Sequence, residues 1–221
     1  MQRKEFLKQG FVALGLAVVA PLMCSCKKDT VTAGGCSVSP SETAGPFPTK
    51  NPSAFAMKDI KGDRTGVPLT MNITIQNVKD NCAALAGALV DVWHCDKDGN
   101  YSEYGNLTTA HFLRGRQTTD SNGVAAFTTV FPGWYPGRSP HIHVHVFNAS
   151  GKSLLVTQIA FPTDVCDTVY TTATNFYTKG KQDTSNTRDG IFSDSLAAQL
   201  GSVTGSVSTG YTLAHTIKVS V

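Results

Sequence analysis

A chain of 221 residues, 41% of them apolar, is long enough for one domain with a substantial core. Its formal net charge is only +3, and no basic block follows Lys27-Lys28. That balance argues against nucleic acid as a partner.

The chain opens with Arg3, Lys4 and Lys8, then an apolar run from about Phe11 to Cys24, then Ser25-Cys26-Lys27-Lys28. The run is too short to span ~30 Å of hydrocarbon, so it reads as a signal peptide rather than a membrane-crossing helix. A cysteine just past it resembles the lipidated first residue of a bacterial lipoprotein, with Cys26 the expected site and Cys24 the alternative. Arg3-Lys4-Glu5-Phe6-Leu7-Lys8 also resembles a twin-arginine export signal, with lysine at the second arginine. The expected organisation is a signal peptide over residues 1–25, a flexible tether over 26–37 and one domain over 38–221. The expected location is the bacterial cell envelope, lipid-anchored through Cys26 on the periplasmic or outer-surface side.

Within the domain the pattern is strand, turn, strand. Leu69, Met71, Ile73 and Ile75 alternate with polar residues, which predicts a half-buried strand. Ala88 to His94 predicts the next, ended by Asp96-Lys97-Asp98-Gly99-Asn100. Strands follow at Val124 to Phe131, His141 to Phe147 and Leu154 to Phe161, and Leu213, Ile217, Val219 and Val221 suggest a closing strand. Helical signal is confined to Thr163–Thr171 and Asp194–Leu200. Residues 170–190, rich in Thr, Asn, Asp and Lys, read as a long surface excursion. Short strands with Gly, Pro, Asn and Asp turns predict an all-β fold, a β-sandwich of mostly antiparallel strands with long loops.

Cys36, Cys82, Cys95 and Cys166 lie beyond the signal segment and allow three pairings, or free structural thiols. Cys82 and Cys95 flank a predicted strand rising roughly 25 Å, against the ~6 Å Cα separation of a disulfide, so that pair is disfavoured. None of the four has the close paired spacing of a structural zinc site.

The segment from Pro132 to Val146 carries the chemistry. Strand alternation puts His141, His143 and His145 on one face and Ile142, Val144 and Val146 on the other. The apolar face can bury in a core while imidazoles face a cleft, and Tyr135 can reach the same cleft across a Pro-Gly turn. Imidazole suits zinc, copper, nickel and iron. A phenol ionises only near pH ~10 in water, but a bound cation can deprotonate it, and phenolate favours a hard, high-valent ion such as Fe(III). The competing reading is a sandwich strand whose histidines are merely exposed, binding divalent ions adventitiously.

Several ordered segments over residues 38–193 resemble the intradiol ring-cleavage dioxygenases of the catechol and protocatechuate 3,4-cleaving type. Pro40-Ser41-Glu42-Thr43-Ala44-Gly45-Pro46-Phe47 is similar to that family's N-terminal signature. Val90-Asp91-Val92-Trp93-His94-Cys95-Asp96 followed by Tyr101 is similar to the segment bearing its first tyrosine ligand. Arg116, Thr119-Asp120, Gly123, Phe127, Pro132 and Tyr135 resemble the approach to the second. Arg138 before His141-Ile142-His143 and Thr157-Gln158 on the next strand complete the resemblance. Asn186, Arg188, Asp189, Gly190, Ile191 and Phe192 resemble a segment of its exported, single-chain members.

The resemblance implies that Tyr101, Tyr135, His141 and His143 hold non-haem Fe(III), with water or hydroxide at a further position. It implies a catechol substrate opened by O2 between its two hydroxyl-bearing carbons to a cis,cis-muconate-type product. Tyr135 would leave the metal and take a substrate proton, Arg138 would stabilise charge developing on the ring, and Gln158 would orient a neighbouring polar group. Gly45, Pro46, Phe47 and Trp134 are candidates for packing against the ring. His145 extends past the family's histidine pair and is expected to stand behind the ligands or to wall the pocket. His94, His111 and His215 are expected to be ordinary histidines, and Tyr104 structural or at the rim. The alternatives are an inactive metal-binding or aromatic-binding sandwich module on the envelope, and a copper or zinc enzyme.

Overall fold

The computed structural model describes residues 35–221. The expected signal peptide, Cys26 and most of the tether lie outside the described residues. No helix among the described residues is long and apolar enough to cross a membrane.

Among the described residues nine strands form two sheets: β1 Pro68–Asn77, β2 Ala83–Ala84, β3 Leu89–Trp93, β4 Arg114–Thr118, β5 Val124–Val130, β6 His141–Phe147, β7 Ser153–Ala160, β8 Ser202–Ser206 and β9 Gly210–Val219. In one sheet β1 pairs with β5 and β2 on one side and β9 on the other, and β8 closes the far edge. The other sheet runs β4-β3-β6-β7, every pair antiparallel. Among these strands the one parallel pairing is β1 with β9. A parallel pair needs a long crossover, and here nearly the whole domain provides it.

The alternation read along β1 appears as burial: Leu69, Met71, Ile73 and Ile75 are buried and their neighbours only partly so. They join Val90 and Val92 of β3 and Ile142, Val144 and Val146 of β6 in one apolar cluster between the sheets. In β6 the residues from His141 to Val144 are buried on both faces, whereas His145 is half-buried. The second face of β6 is therefore covered by something other than the opposite sheet, and that cover builds the site.

β4 and β8 are strands that hydrophobic periodicity does not reveal. β4 reads Arg-Gly-Arg-Gln-Thr and is held by polar bonds. The Arg114 guanidinium is buried and donates to Ser102 Oγ (2.8 Å), Ser102 O (2.6 Å) and Phe47 O (2.9 Å). Arg116 forks onto Asp91, its partner across the ladder. Helix α1, Thr163–Thr172, forms where expected, while α2 is a single turn at Leu196–Gln199, shorter than Asp194–Leu200.

Cys36 is disulfide-bonded to Cys82, with Cα atoms 5.7 Å apart, and Cys95 and Cys166 are buried free thiols. Asn81 and Cys82 both take left-handed backbone conformations (φ 47° and 59°), which turns the chain back into β2. The disulfide fixes the start of an N-terminal strap, residues 36–50. Ser39 N donates to Lys218 O and Glu42 N to Val156 O, carrying the strap across the sheet ends.

Residues 170–190 are more than a surface excursion. Tyr177 is buried, its Oη donating to Phe131 O (2.7 Å) and accepting from Val67 N (3.1 Å). Asn186 Nδ2 donates to Phe161 O (2.8 Å), pinning the returning limb beside β7. Asp189 and Phe192 then bury completely.

Candidate metal centre

His141 and His143 project from the start of β6, on the face opposite Ile142 and Val144. Tyr101 comes from the loop between β3 and β4, and Tyr135 from the loop between β5 and β6. The two loops are fastened together. Asp96 Oδ1 accepts from the backbone N–H groups of Asp98 (3.0 Å) and Asn100 (2.9 Å), shaping the turn that delivers Tyr101. Gly133 N donates to Asp96 O at 3.1 Å, so close that a Cβ at Gly133 would strike the carbonyls of Asp96 and Lys97. Only glycine permits that approach, and two residues later the chain places Tyr135.

The four side chains converge on one point. From His141 Nε2, Tyr101 Oη lies at 3.3 Å, Tyr135 Oη at 3.2 Å and His143 Nε2 at 3.2 Å. His141 Nδ1 lies 2.6 Å from Ser139 O, an acceptor, so Nδ1 carries the proton and Nε2 a lone pair. One lone pair cannot answer three neighbours. A cation at about 2 Å from each donor would, since donors at a tetrahedral angle then sit roughly 3.3 Å apart. Two imidazoles and two phenols thus fit a resident metal, and the hard oxygen pair suits Fe(III).

Three aromatic or glycine contacts hold the donors in place. The Trp93 indole stacks on His143, centroids 4.9 Å apart and planes within 2°. Phe47 from the strap stacks on Tyr101 at 4.7 Å. Gly45, with φ +68°, passes so close to His143 that a Cβ would sit 3.1 Å from Cε1.

Without metal the donors are neutral. Burial pushes His141 down to about 3, with the nearby Arg138 cation adding to the shift, and pushes His143 well below its ordinary range. Burial raises Tyr101 well above the usual phenol value; it also raises Tyr135, where Arg138 opposes the rise. The imidazole lone pairs are therefore free of protons at neutral pH, and the phenols must release their protons to solvent when a cation binds.

Arg138 stands beside the donors inside a bonded frame. Its Nε donates to both Asp189 oxygens (3.1 and 2.9 Å), and its Nη2 donates to Gln158 Oε1 at 2.7 Å. Gln158 is buried and donates from Nε2 to Thr43 O of the strap (2.9 Å). Phe192 covers the back of this frame, its ring 6.4 Å from His141 and 5.9 Å from the guanidinium.

Other expectations fall differently. His145 accepts or donates at Ser153 Oγ (2.8 Å) and stacks on Phe147 (3.8 Å), so its contacts lie away from the four donors rather than on a pocket wall. Trp134 donates from Nε1 to Gly180 O (2.9 Å) and lies under Lys179 Nζ (4.2 Å), which engages it with the long excursion. Pro46 is exposed beside Phe47. Tyr104 donates to Pro48 O (2.6 Å) and lines, with Phe47, Tyr101, Asn100 and Leu107, a cavity of ≈ 510 Å³. His94 is a core histidine, donating from Nδ1 to Cys95 O (2.9 Å) and accepting from Thr129 Oγ1 (2.8 Å). His111 pairs with Glu103, and His215 is pushed down to about 4 by burial. Asp189 is the functional-looking residue that sequence reasoning left without a role. Its only signal was membership of the 186–192 segment.

The family model described as Dioxygenase matches residues 45–193. Among curated relatives, chlorocatechol 1,2-dioxygenase of Rhodococcus opacus is 30% identical over 54% of this chain and 52% of its own length. The protocatechuate 3,4-dioxygenase beta chain of Burkholderia cepacia is 32% identical over 46% of this chain and 49% of its own. The chain thus spans about half the length of the curated relatives it matches. Among solved structures, an intradiol ring-cleavage dioxygenase from Tetranychus urticae superposes with a TM-score of 0.74 and 27% identity, covering 84% of this chain and 95% of that one. The dioxygenase domain of a carbohydrate-binding fusion from Streptomyces sp. SirexAA-E gives 0.61 and 26%, covering 84% and 99%. Because the family match includes the strand and both loops that bring the two imidazoles and two phenols together, the chain belongs to the dioxygenase family, among relatives named for intradiol cleavage of catechols.

Proposed function

We propose that the protein is a non-haem Fe(III) intradiol dioxygenase that opens a catechol between its two hydroxyl-bearing carbons, both oxygens of O2 entering a cis,cis-muconate-type product. The observation that carries this reading is the meeting of Tyr101, Tyr135, His141 and His143 within 3.2–3.3 Å of one nitrogen, with Arg138 alongside. When bound, Fe(III) supplies the Lewis acidity that ionises the catechol and makes its ring reactive toward O2.

The chain's own residues divide the remaining work. Tyr101 is buried and stacked under Phe47, which favours its staying a fixed donor. Tyr135 is half-buried on a loop whose Pro136 and Gly137 are exposed, and its hydroxyl can swing away and hold a proton from the substrate at Oη. Arg138 presents a fixed cation where negative charge grows on the ring, the arrangement that stabilises a transition state without reorganisation. Gln158 keeps that cation in register with the strap through Thr43. Gly45 and Phe47 shield the donors from water on the strap side.

The same reading makes the protein an exported lipoprotein: a signal peptide over 1–25, lipid on Cys26 and a short tether. A disulfide between Cys36 and Cys82 supports an oxidising compartment. Labelling of growing cells with palmitate should mark the wild type and not Cys26→Ser.

The activity test is aerobic incubation of the iron-loaded chain with catechol, hydroxyquinol and protocatechuate. Oxygen uptake equal to muconate formed on at least one of them is expected. Stoichiometric iron with no oxygen uptake on a broad catechol panel would favour the inactive binding module instead.

A further inference from the structure

Asp189 lies at the centre of a closed set of bonds. It is fully buried, yet each of its oxygens is engaged: Oδ1 accepts from Arg138 Nε and Ile191 N (2.9 Å), and Oδ2 accepts from Arg138 Nε, Ser139 N (2.8 Å) and Ser139 Oγ (3.1 Å). Burial alone would push this carboxyl up, but the N–H groups of Ile191 and Ser139 and the Arg138 cation together hold it below its ordinary value. It is thus a fixed anion in the metal-free protein.

The attachment point matters. An arginine held by Nε is gripped at the elbow of its fork, which fixes the plane of the guanidinium. Gln158 takes Nη2, and no hydrogen bond among the described residues engages Nη1. The grip therefore sets the plane and leaves that N–H pair available. Asp189 also fixes Ser139, whose carbonyl orients His141 through Nδ1.

We infer that Asp189 is a positioning residue, which clamps Arg138 at Nε so that its free Nη1 donors face the bound substrate. This rests on the proposed role of Arg138 in ring cleavage. It gives the 170–193 excursion a purpose: Asn186 anchors its return, Asp189 aims the cation and Phe192 backs it.

The test uses Asp189→Asn, which keeps volume and one acceptor but removes the charge, together with Arg138→Ala and the double variant. Asp189→Asn should keep wild-type iron content, visible colour and affinity for catechol measured without oxygen, while kcat falls about 10–100-fold. In the Arg138→Ala background Asp189→Asn should cost nothing more, because its effect passes through a side chain already gone. A purely structural residue would give parallel losses of thermal midpoint and iron, multiplying in the double variant, and that pattern would overturn the inference. A second arm needs no activity. In the metal-free protein, exchange of the Arg138 Nε–H with water, followed by 15N NMR and assigned by its absence from Arg138→Lys, should quicken in Asp189→Asn. Unchanged exchange would overturn the clamp even if the wild type cleaved no catechol, so failure of the inference and failure of the functional reading are separable.

Discussion

Trp93 and His143 face each other in register on adjacent strands of one sheet, their rings parallel and 4.9 Å apart. The indole is the floor on which the imidazole rests, and both are buried. Trp93→Ala would open a cavity under a donor and should cost about 3–5 kcal/mol of stability. Urea denaturation of the metal-free protein measures this. Trp93→Phe should lose much less, because it keeps a flat ring in the same place.

His141→Ala and His143→Ala should each lose most of the bound iron, since removing one of four protein donors leaves an open, poorly organised site. His145→Ala should keep near-normal iron, because its contacts are Ser153 and Phe147. Metal analysis after reconstitution and desalting checks all three, and equal loss from His145→Ala would contradict the donor assignment.

How far these residues could be read from sequence depends on what encodes them. Strands β1 and β6 were legible because burial on one face leaves a period of two in the sequence, and the same alternation singled out His141 and His143. Tyr135 was legible from its nearness to that strand. Tyr101 lies in a loop with no period, and only the family resemblance pointed to it. β4 escaped because the buried Arg114 and the half-buried Arg116 are held by hydrogen bonds and ion pairs rather than by apolar alternation. The Arg138–Asp189 bond joins residues 51 apart, and no local pattern announces such a pairing. His145 shows the limit of alternation itself: it shares the face of its two neighbours but lies beyond the cover that buries them.

Gly133→Ala should be among the more damaging small changes. The added methyl meets the Asp96 and Lys97 carbonyls, so the loops bearing Tyr101 and Tyr135 must separate. A destabilisation of about 1–3 kcal/mol is expected, with weakened iron binding. Ala at Gly137, where a Cβ meets nothing within 4 Å, serves as the control despite its own positive φ.

Acid sensitivity should trace in part to His94. Burial pushes it down to about 4, against about 6.5 for an exposed histidine. Below about pH 6.5 the unfolded chain takes up a proton that the folded chain refuses, so the stability is present above that pH and is lost as pH falls toward 4. By pH 5 the loss from this group is roughly 2 kcal/mol. Denaturation midpoints at pH 7 and pH 5 should fall less in His94→Gln than in the wild type.

The proposed centre is Fe(III) held by two phenolates and two imidazoles of this chain. The most direct measurement is the visible spectrum during titration of the metal-free chain with iron, in the wild type and in Tyr135→Phe. An intense phenolate-to-iron band, burgundy in colour, should saturate at one iron per chain and shift in Tyr135→Phe. A chain that binds one iron and stays colourless, or whose band is untouched by Tyr135→Phe, would contradict it.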